Sequence, residues 1–381
     1  MQTILWIQSK NYRHKKEGIR PLFLTLNKFW HIINRGDVMN YLDAEILKQA
    51  NTQAVYNLYL YLSDKVFPRQ NETLESAVSK LNSVRLSDTD KQKLSIIHKA
   101  LNNYDIASST INNYTYSKRG LTACTFTSPL GISVVFKGTG SGEWIDNGEG
   151  LSGIPETNTY ITYPNGRKTY TTVKNDFATD QQTEAFNWFS KLCHKNSWDE
   201  NSNITVSGHS KGGNKAQFIT IHSGVVKKCF SFNGQGFSPE ALTSMESAYK
   251  KNYDIRRQKI ISVCAHNDYV NVLGNHLMPE NQVYYFKSVP TFHPIEDMID
   301  DNGLLNSQCR KGLLSEYVQS ISDELMTLTP DTRQYVTRAV MNIFQKYLGD
   351  KPLNGDYVSL EDTVAGIAIA ISFLFRKFKK V

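Results

Sequence analysis

The chain has 381 residues, enough for one large domain or two ordinary ones around a substantial core. A content of 40% hydrophobic and 11% aromatic residues excludes a disordered or fibrous chain. The formal charge is +7, of which residues 1–38 carry +5 through Lys10, Arg13, Lys15, Lys16, Arg20, Lys28 and Arg35 against Glu17 and Asp37. The remaining +2 is dispersed over the rest of the chain and implies no nucleic-acid-binding face.

The five cysteines, Cys124, Cys193, Cys229, Cys264 and Cys309, form no Cys-x-x-Cys pair, and four lie in apolar segments. They read as buried free thiols, with neither a disulfide framework nor a metal site, and no cofactor is called for. No N-terminal stretch has the h-region and cleavage site of a secretory signal, so the expectation is a cytoplasmic protein or export by a route that needs no signal peptide.

Along the chain, the basic residues 1–38 form an extension that need not belong to the fold. Residues 39–110 read as a helical N-terminal part. Leu42, Ile46, Leu47, Ala50, Ala54 and Leu58 follow helical spacing. Two further helices are expected up to Tyr104, the second capped by a Ser or Asp of "LSDTD". Residues 111–305 read as an α/β core. From Tyr114 a hairpin-like pair of strands is expected around the turn "PLG", followed by a Gly-rich loop with no clear helix behind it. Asn165-Gly166 then marks a hairpin turn of type I′. Helices and short apolar β-runs alternate after that, as in a mostly parallel sheet with helices on both faces. Residues 306–381 read as a helical C-terminal part. Its apolar run "VAGIAIAISFLF" is shorter than the roughly 20 residues that span a bilayer, though with "RKFKKV" behind it peripheral membrane contact is possible.

The chemistry centres on Gly208-His209-Ser210-Lys211-Gly212, which sits between a strand-like and a helix-like run. A serine on a tight strand-to-helix turn points its hydroxyl out of the sheet, and the small flanking residues let that backbone form. The helix that follows aims its first N–H groups at an oxyanion, the Lys211 N–H among them. A nucleophilic serine needs an acid and a base later in the chain. Asp268 follows the apolar run Ile260–Ala265 and is the candidate acid; Asp297, Asp300 and Asp301 read as a solvated acidic face. Of the histidines after Ser210, three lie at the right end of the chain. His266 is too near Asp268 to fold back on it, His276 is an open alternative, and His293, on a loop after the next strand, is the candidate base. The second oxyanion donor is expected at Gly138-Thr139, after the strand Ile132–Phe136. The Gly138-x-Gly140-x-Gly142 run has neither a dinucleotide fingerprint nor a Gly-Lys-Ser/Thr phosphate loop.

Three stretches together, "VVFKGTGSGEWID", "ITVSGHSKGGNKA" and "HNDYVNVLG", resemble the oxyanion loop, nucleophile elbow and acid segment of class 3 lipases. With "CFSFNGQGF" added, the chain from about Met39 to Thr363 is similar to a related family of bacterial α/β-hydrolases of largely undefined activity. The resemblance implies an α/β-hydrolase fold with a Ser210, Asp268 and His293 triad. Thr139 and Lys211 would be its oxyanion residues, and Trp144 would begin a lid or acyl-chain contact. Lys211 stands where these lipases more often carry Leu or Gln. The expected activity is ester hydrolysis on a lipid, phospholipid or small ester. The rival readings are a non-catalytic hydrolase-fold binding or membrane-associated module, and a peptidase or thioesterase using the same triad.

Overall fold

In a computed structural model, residues 41–347 are described, apart from 104–105, 118–119, 141–142, 154–160, 163–167, 170–176 and 290–292. All of them fall within one compact unit, residues 39–366. The basic N-terminal extension and the C-terminal apolar run lie outside the described residues.

The centre of the fold is a nine-stranded sheet in the order β1-β2-β3-β4-β7-β8-β9-β10-β11. Its left margin is antiparallel: β1 (Glu72–Thr73), β2 (Thr110–Tyr116), β3 (Thr122–Ser128) and β4 (Gly131–Phe136). The middle is parallel, from β4 through β7 (Ile204–His209), β8 (Val226–Phe232), β9 (Ile260–Ala265) and β10 (Val283–Phe286). A short antiparallel β11 (Gln308–Cys309) closes the far edge. One detail of the antiparallel margin differs from the sequence reading. The expected pair of strands is a three-strand meander, β2 having its own register against β3 with a bulge between Asn112 and Thr115. The hairpin of β5 (Ile161–Thr162) and β6 (Lys168–Thr169) is present, but its Asn-Gly turn lies outside the described residues.

Period-two alternation in the strands serves two cores. Phe126, Val135, Phe230, Phe232, Val263 and Ala265 face α1 (Ala44–Leu62), α2 (Leu74–Leu81) and α3 (Asp88–Asn103). Val134, Phe136, Val206, Cys229 and Ile260 face the other layer. That layer holds α5 (Asp180–Asn196), α6 (Lys211–His222), α7 (Pro239–Tyr249) and α8 (Lys251–Arg257). The caps are those the sequence supports. Ser87 Oγ accepts from Asp90 N–H at the start of α3, and a Thr179–Gln182 capping box opens α5. All five cysteines are free, and burial pushes the Cys229 and Cys264 thiols up to about 12.

Helix α1 is buried along most of its length and carries polar groups into the core. Gln53, Asn57 and Tyr61 lie four residues apart, on one helical stripe. Gln53 donates to Ser133 Oγ (2.7 Å) and accepts from Ser207 Oγ (2.8 Å), and Asn57 Nδ2 donates to Ser207 Oγ (3.1 Å). Each bond satisfies a group that would otherwise cost about 1–3 kcal/mol in the core. Together they fix α1 in register along β7.

A helix also opens behind the Gly-rich loop, where the sequence reading expects none. This is α4 (Trp144–Ser152), ended by Gly153 at φ 73°. Gly148 and Gly150 weaken its intrinsic propensity. Tertiary packing outweighs that: Gly148 lies against Thr337 and Met341 of α10 (Pro330–Tyr347), and Arg338 reaches Glu149 at 3.2 Å. The helix before it, α9 (Leu313–Met326), is anchored at its start to the loop after β9.

Candidate active site

β7 ends at His209 and α6 begins at Lys211, which leaves Ser210 on the turn between them with φ 57° and ψ −124°. A non-glycine residue there is strained by about 1–3 kcal/mol, and such strain gathers at functional sites. The surrounding glycines make the turn possible. A Cβ on Gly208 would run into the Gly212 backbone, and one on Gly212 into the carbonyl of Phe136. Ser210 N–H donates to Phe232 O (2.8 Å), which ties the turn to the end of β8.

The structure brings together Ser210, His293 and Asp268. His293 Nε2 lies 3.0 Å from Ser210 Oγ, and His293 Nδ1 lies 2.7 Å from Asp268 Oδ1. A carboxylate only accepts, so Nδ1 carries the proton and Nε2 presents its lone pair to the serine hydroxyl. Asp268 is fully buried; its Oδ2 accepts from Asn271 N–H (2.6 Å), and its carbonyl from Ser315 Oγ of α9 (2.5 Å). The other two histidines are engaged elsewhere. His276 Nε2 donates to Asn271 O (2.9 Å), and His266 Nδ1 faces Ser288 at 3.2 Å. Of the expected acidic face, Asp297 is buried and its neighbour Glu296 pairs with Lys93 at 2.6 Å. The sequence reading of a solvated Asp297 is therefore corrected: the short turn Ile295–Met298 packs into the core on its apolar residues and carries the carboxylates in with it.

Of the two expected oxyanion residues, Lys211 follows Ser210 directly, and Thr139 follows Gly138, where an added Cβ would meet Ser210 Cβ at 3.4 Å. The Lys211 N–H is the first of α6, where no carbonyl of the preceding turn is available to it. Thr139 follows β4, and its Oγ1 accepts from Asn147 Nδ2 of α4 (3.0 Å). The Lys211 side chain is buried. Its Nζ lies 2.7 Å from Asp146 Oδ2 and 3.8 Å from Glu143 Oε2, and donates to Glu143 O at 3.3 Å. This ion pair joins the residue after Ser210 to the start of α4, the helix that Trp144 opens. Lys215, one turn further along α6, is fully buried with Nζ 3.5 Å from Lys137 O; burial and the nearby Lys211 push its amine down to about 8.

Sequence reasoning missed three residues that meet at this site. His209 is buried beside Ser210, its Nε2 2.8 Å from the His293 carbonyl and its Nδ1 2.8 Å from Tyr61 OH. Asn233, at the end of β8 with φ 48°, donates from Nδ2 to the same carbonyl (2.6 Å) and accepts from Ala265 N–H (2.7 Å). The one available signal was Asn233 before a glycine at a strand end in "FNG", a pattern suited to a left-handed backbone. His209 and Tyr61 are 148 residues apart, and nothing local links them.

Among the described residues no group of His, Cys, Asp and Glu is placed to hold a metal ion, and no helix is long and apolar enough to cross a membrane. Residues 160–273 match the family model described as Mbeg1-like, a stretch that holds Ser210 and Asp268 and stops before His293. No curated protein matches the chain. Among solved structures, the chain is similar to the triacylglyceride lipase of Rhizomucor miehei, at 12% identity over 69% of this chain and 97% of that one, with a TM-score of 0.38. It is also similar to MDLA of Penicillium cyclopium, at 11% identity over 66% of this chain and 83% of that one, with a TM-score of 0.38. A triacylglycerol lipase from Penicillium expansum is similar at 14% identity over 53% and 82%, with a TM-score of 0.28.

Proposed function

We propose that this chain, with its α/β-hydrolase fold, is a serine ester hydrolase of lipase type that cleaves acyl esters. One observation carries the reading: a strained Ser210 at the start of α6 within 3.0 Å of a His293 nitrogen whose other nitrogen meets a buried Asp268. Ser210 Oγ attacks the acyl carbonyl while His293 Nε2 takes its proton, and Asp268 holds the resulting imidazolium. The oxyanion is met by the Lys211 N–H and by Thr139. Collapse of the tetrahedral intermediate expels the alcohol, which takes the proton back from His293. Water then repeats the sequence on the acyl-enzyme and returns Ser210 with release of the acid.

Lipid or phospholipid is the proposed substrate class. Tyr269 is partly exposed with its ring 5.4 Å from that of His293, and Leu313, Leu314 and Tyr317 lie exposed along the start of α9. Exposed apolar surface next to the residues that hold Asp268 and His293 suits an acyl chain. The test is hydrolysis of p-nitrophenyl butyrate together with labelling by a fluorophosphonate. The wild type is expected to turn over and to be labelled at Ser210, and Ser210→Ala to lose both. Equal turnover by the alanine variant would overturn the assignment.

A further inference from the structure

We propose that His209 and Asn233, with Tyr61 behind them, are positioning residues that hold His293 by its backbone carbonyl and so set its distance to Ser210. The proposal rests on the triad reading given above. His293 lies in no helix or strand and its side chain is 17% exposed, so burial alone does not fix its place. Its carbonyl oxygen instead receives two side-chain donors, His209 Nε2–H at 2.8 Å and Asn233 Nδ2 at 2.6 Å. Both donors sit on rigid ground. His209 ends β7 beside the nucleophile, and Asn233 is held by the Ala265 N–H at the end of the neighbouring strand β9. The base is thus measured directly from the two strand ends that also carry Ser210.

The His209 bond requires one tautomer. A carbonyl only accepts, so Nε2 must carry the proton and Nδ1 must accept. Tyr61 OH meets that demand at 2.8 Å. A Cβ on Gly138 would strike both Tyr61 OH and the His209 carbonyl, so the loop, the helix and the strand end meet at one point. Burial, reinforced by the neighbouring His293, pushes the His209 imidazole down to about 3, so the single-proton form persists through neutral pH. The stripe Gln53, Asn57 and Tyr61 on α1 follows β7 to this end, which places the tyrosine in register.

The test uses the full chain and a soluble ester, p-nitrophenyl butyrate. His209→Leu removes the donor, and His209→Gln restores an amide N–H at similar reach. Asn233→Asp keeps the acceptor for Ala265 N–H and the left-handed backbone but turns the donor on His293 into an acceptor. His209→Leu and Asn233→Asp are expected to lower kcat by about tenfold to a hundredfold with KM nearly unchanged, as for a displaced catalytic group. His209→Gln is expected to recover most of the loss, which a merely structural role would not produce. Tyr61→Phe, which removes one oxygen, serves if the leucine variant fails to fold, with a smaller fall in kcat expected. Wild-type kcat in His209→Leu or in Tyr61→Phe, or a glutamine variant as damaged as the leucine one, would overturn the proposal. The low-field proton resonance of His293 Nδ1–H reads the same geometry without turnover. It is expected in the wild type and in His209→Gln, and shifted or broadened in His209→Leu. An unchanged resonance in the leucine variant would overturn the positioning role, whereas a wild type with that resonance but no Ser210 labelling would count against the hydrolase reading alone.

Discussion

Ser210 carries a conformation that its own side chain disfavours. At φ 57° and ψ −124° a Cβ is crowded, and only glycine occupies that region freely. The fold supplies the opposing energy through the Ser210 N–H bond to Phe232 O and the close approach of Gly208 to Gly212. Ser210→Gly should therefore relieve about 1–3 kcal/mol of backbone strain. Against this stands the extra freedom of glycine in the unfolded chain, about 0.4–1 kcal/mol. The expected net result is a protein more stable by about 1 kcal/mol and without ester hydrolysis, read as a raised urea midpoint at unchanged slope. A glycine variant that is less stable than the wild type would show that the serine is not strained in its turn.

At the scale of elements, the join between α6 and α4 is an ion pair between two short stretches of different origin. Lys211 is almost fully enclosed, with Asp146 at 2.7 Å and Glu143 at 3.8 Å. Removing one member of a buried pair leaves an uncompensated charge, at a cost of about 3–5 kcal/mol. Lys211→Met is expected to lower stability by about 3 kcal/mol, and Lys211→Met with Asp146→Asn by clearly less, measured by urea unfolding. Equal losses in the two variants would mean that the charges are not coupled. The same join shows which parts of the site could be read in the sequence. The elbow was legible because its chemistry is local: a serine, two glycines, a strand before and a helix after. Asp268 and His293 were legible from their places after β9 and β10, where a parallel sheet presents its loops to one edge. Helix α4 was not, since Gly148 and Gly150 argue against it and α10, some 190 residues later, packs against it. Nor were β1 and β11, each two residues long and too short to show a period. The burial of Asp297 escaped for the reason that hid the His209–Tyr61 bond: both depend on contacts between segments far apart in the chain.

Across the molecule, packing lowers the proton affinity of several histidines together. Burial pushes the imidazole of His209 and that of His222 down to about 3, and it also lowers His266 and His276. In the unfolded chain each returns to an ordinary value near 6.5. Between pH 6.5 and pH 3 the unfolded state therefore binds more protons than the folded one, and stability must fall as pH falls. His222 tests this away from the site. Its ring stacks on Phe218 at 3.9 Å, its Nδ1 meets Tyr249 OH at 2.8 Å, and Arg256 adds an unfavourable positive charge to that of a protonated ring. Phenylalanine keeps the stack, gives up the tyrosine bond at about 1 kcal/mol, and has no proton to gain. By pH 5 the histidine alone costs about 2 kcal/mol relative to neutral pH, from 1.36 kcal/mol per unit below 6.5. His222→Phe should thus be less stable than the wild type at pH 8 and more stable at pH 5, the two curves of unfolding free energy against pH crossing between them. Parallel curves would mean that His222 takes up its proton in the folded protein as readily as in the unfolded chain, so that this histidine contributes nothing to acid sensitivity.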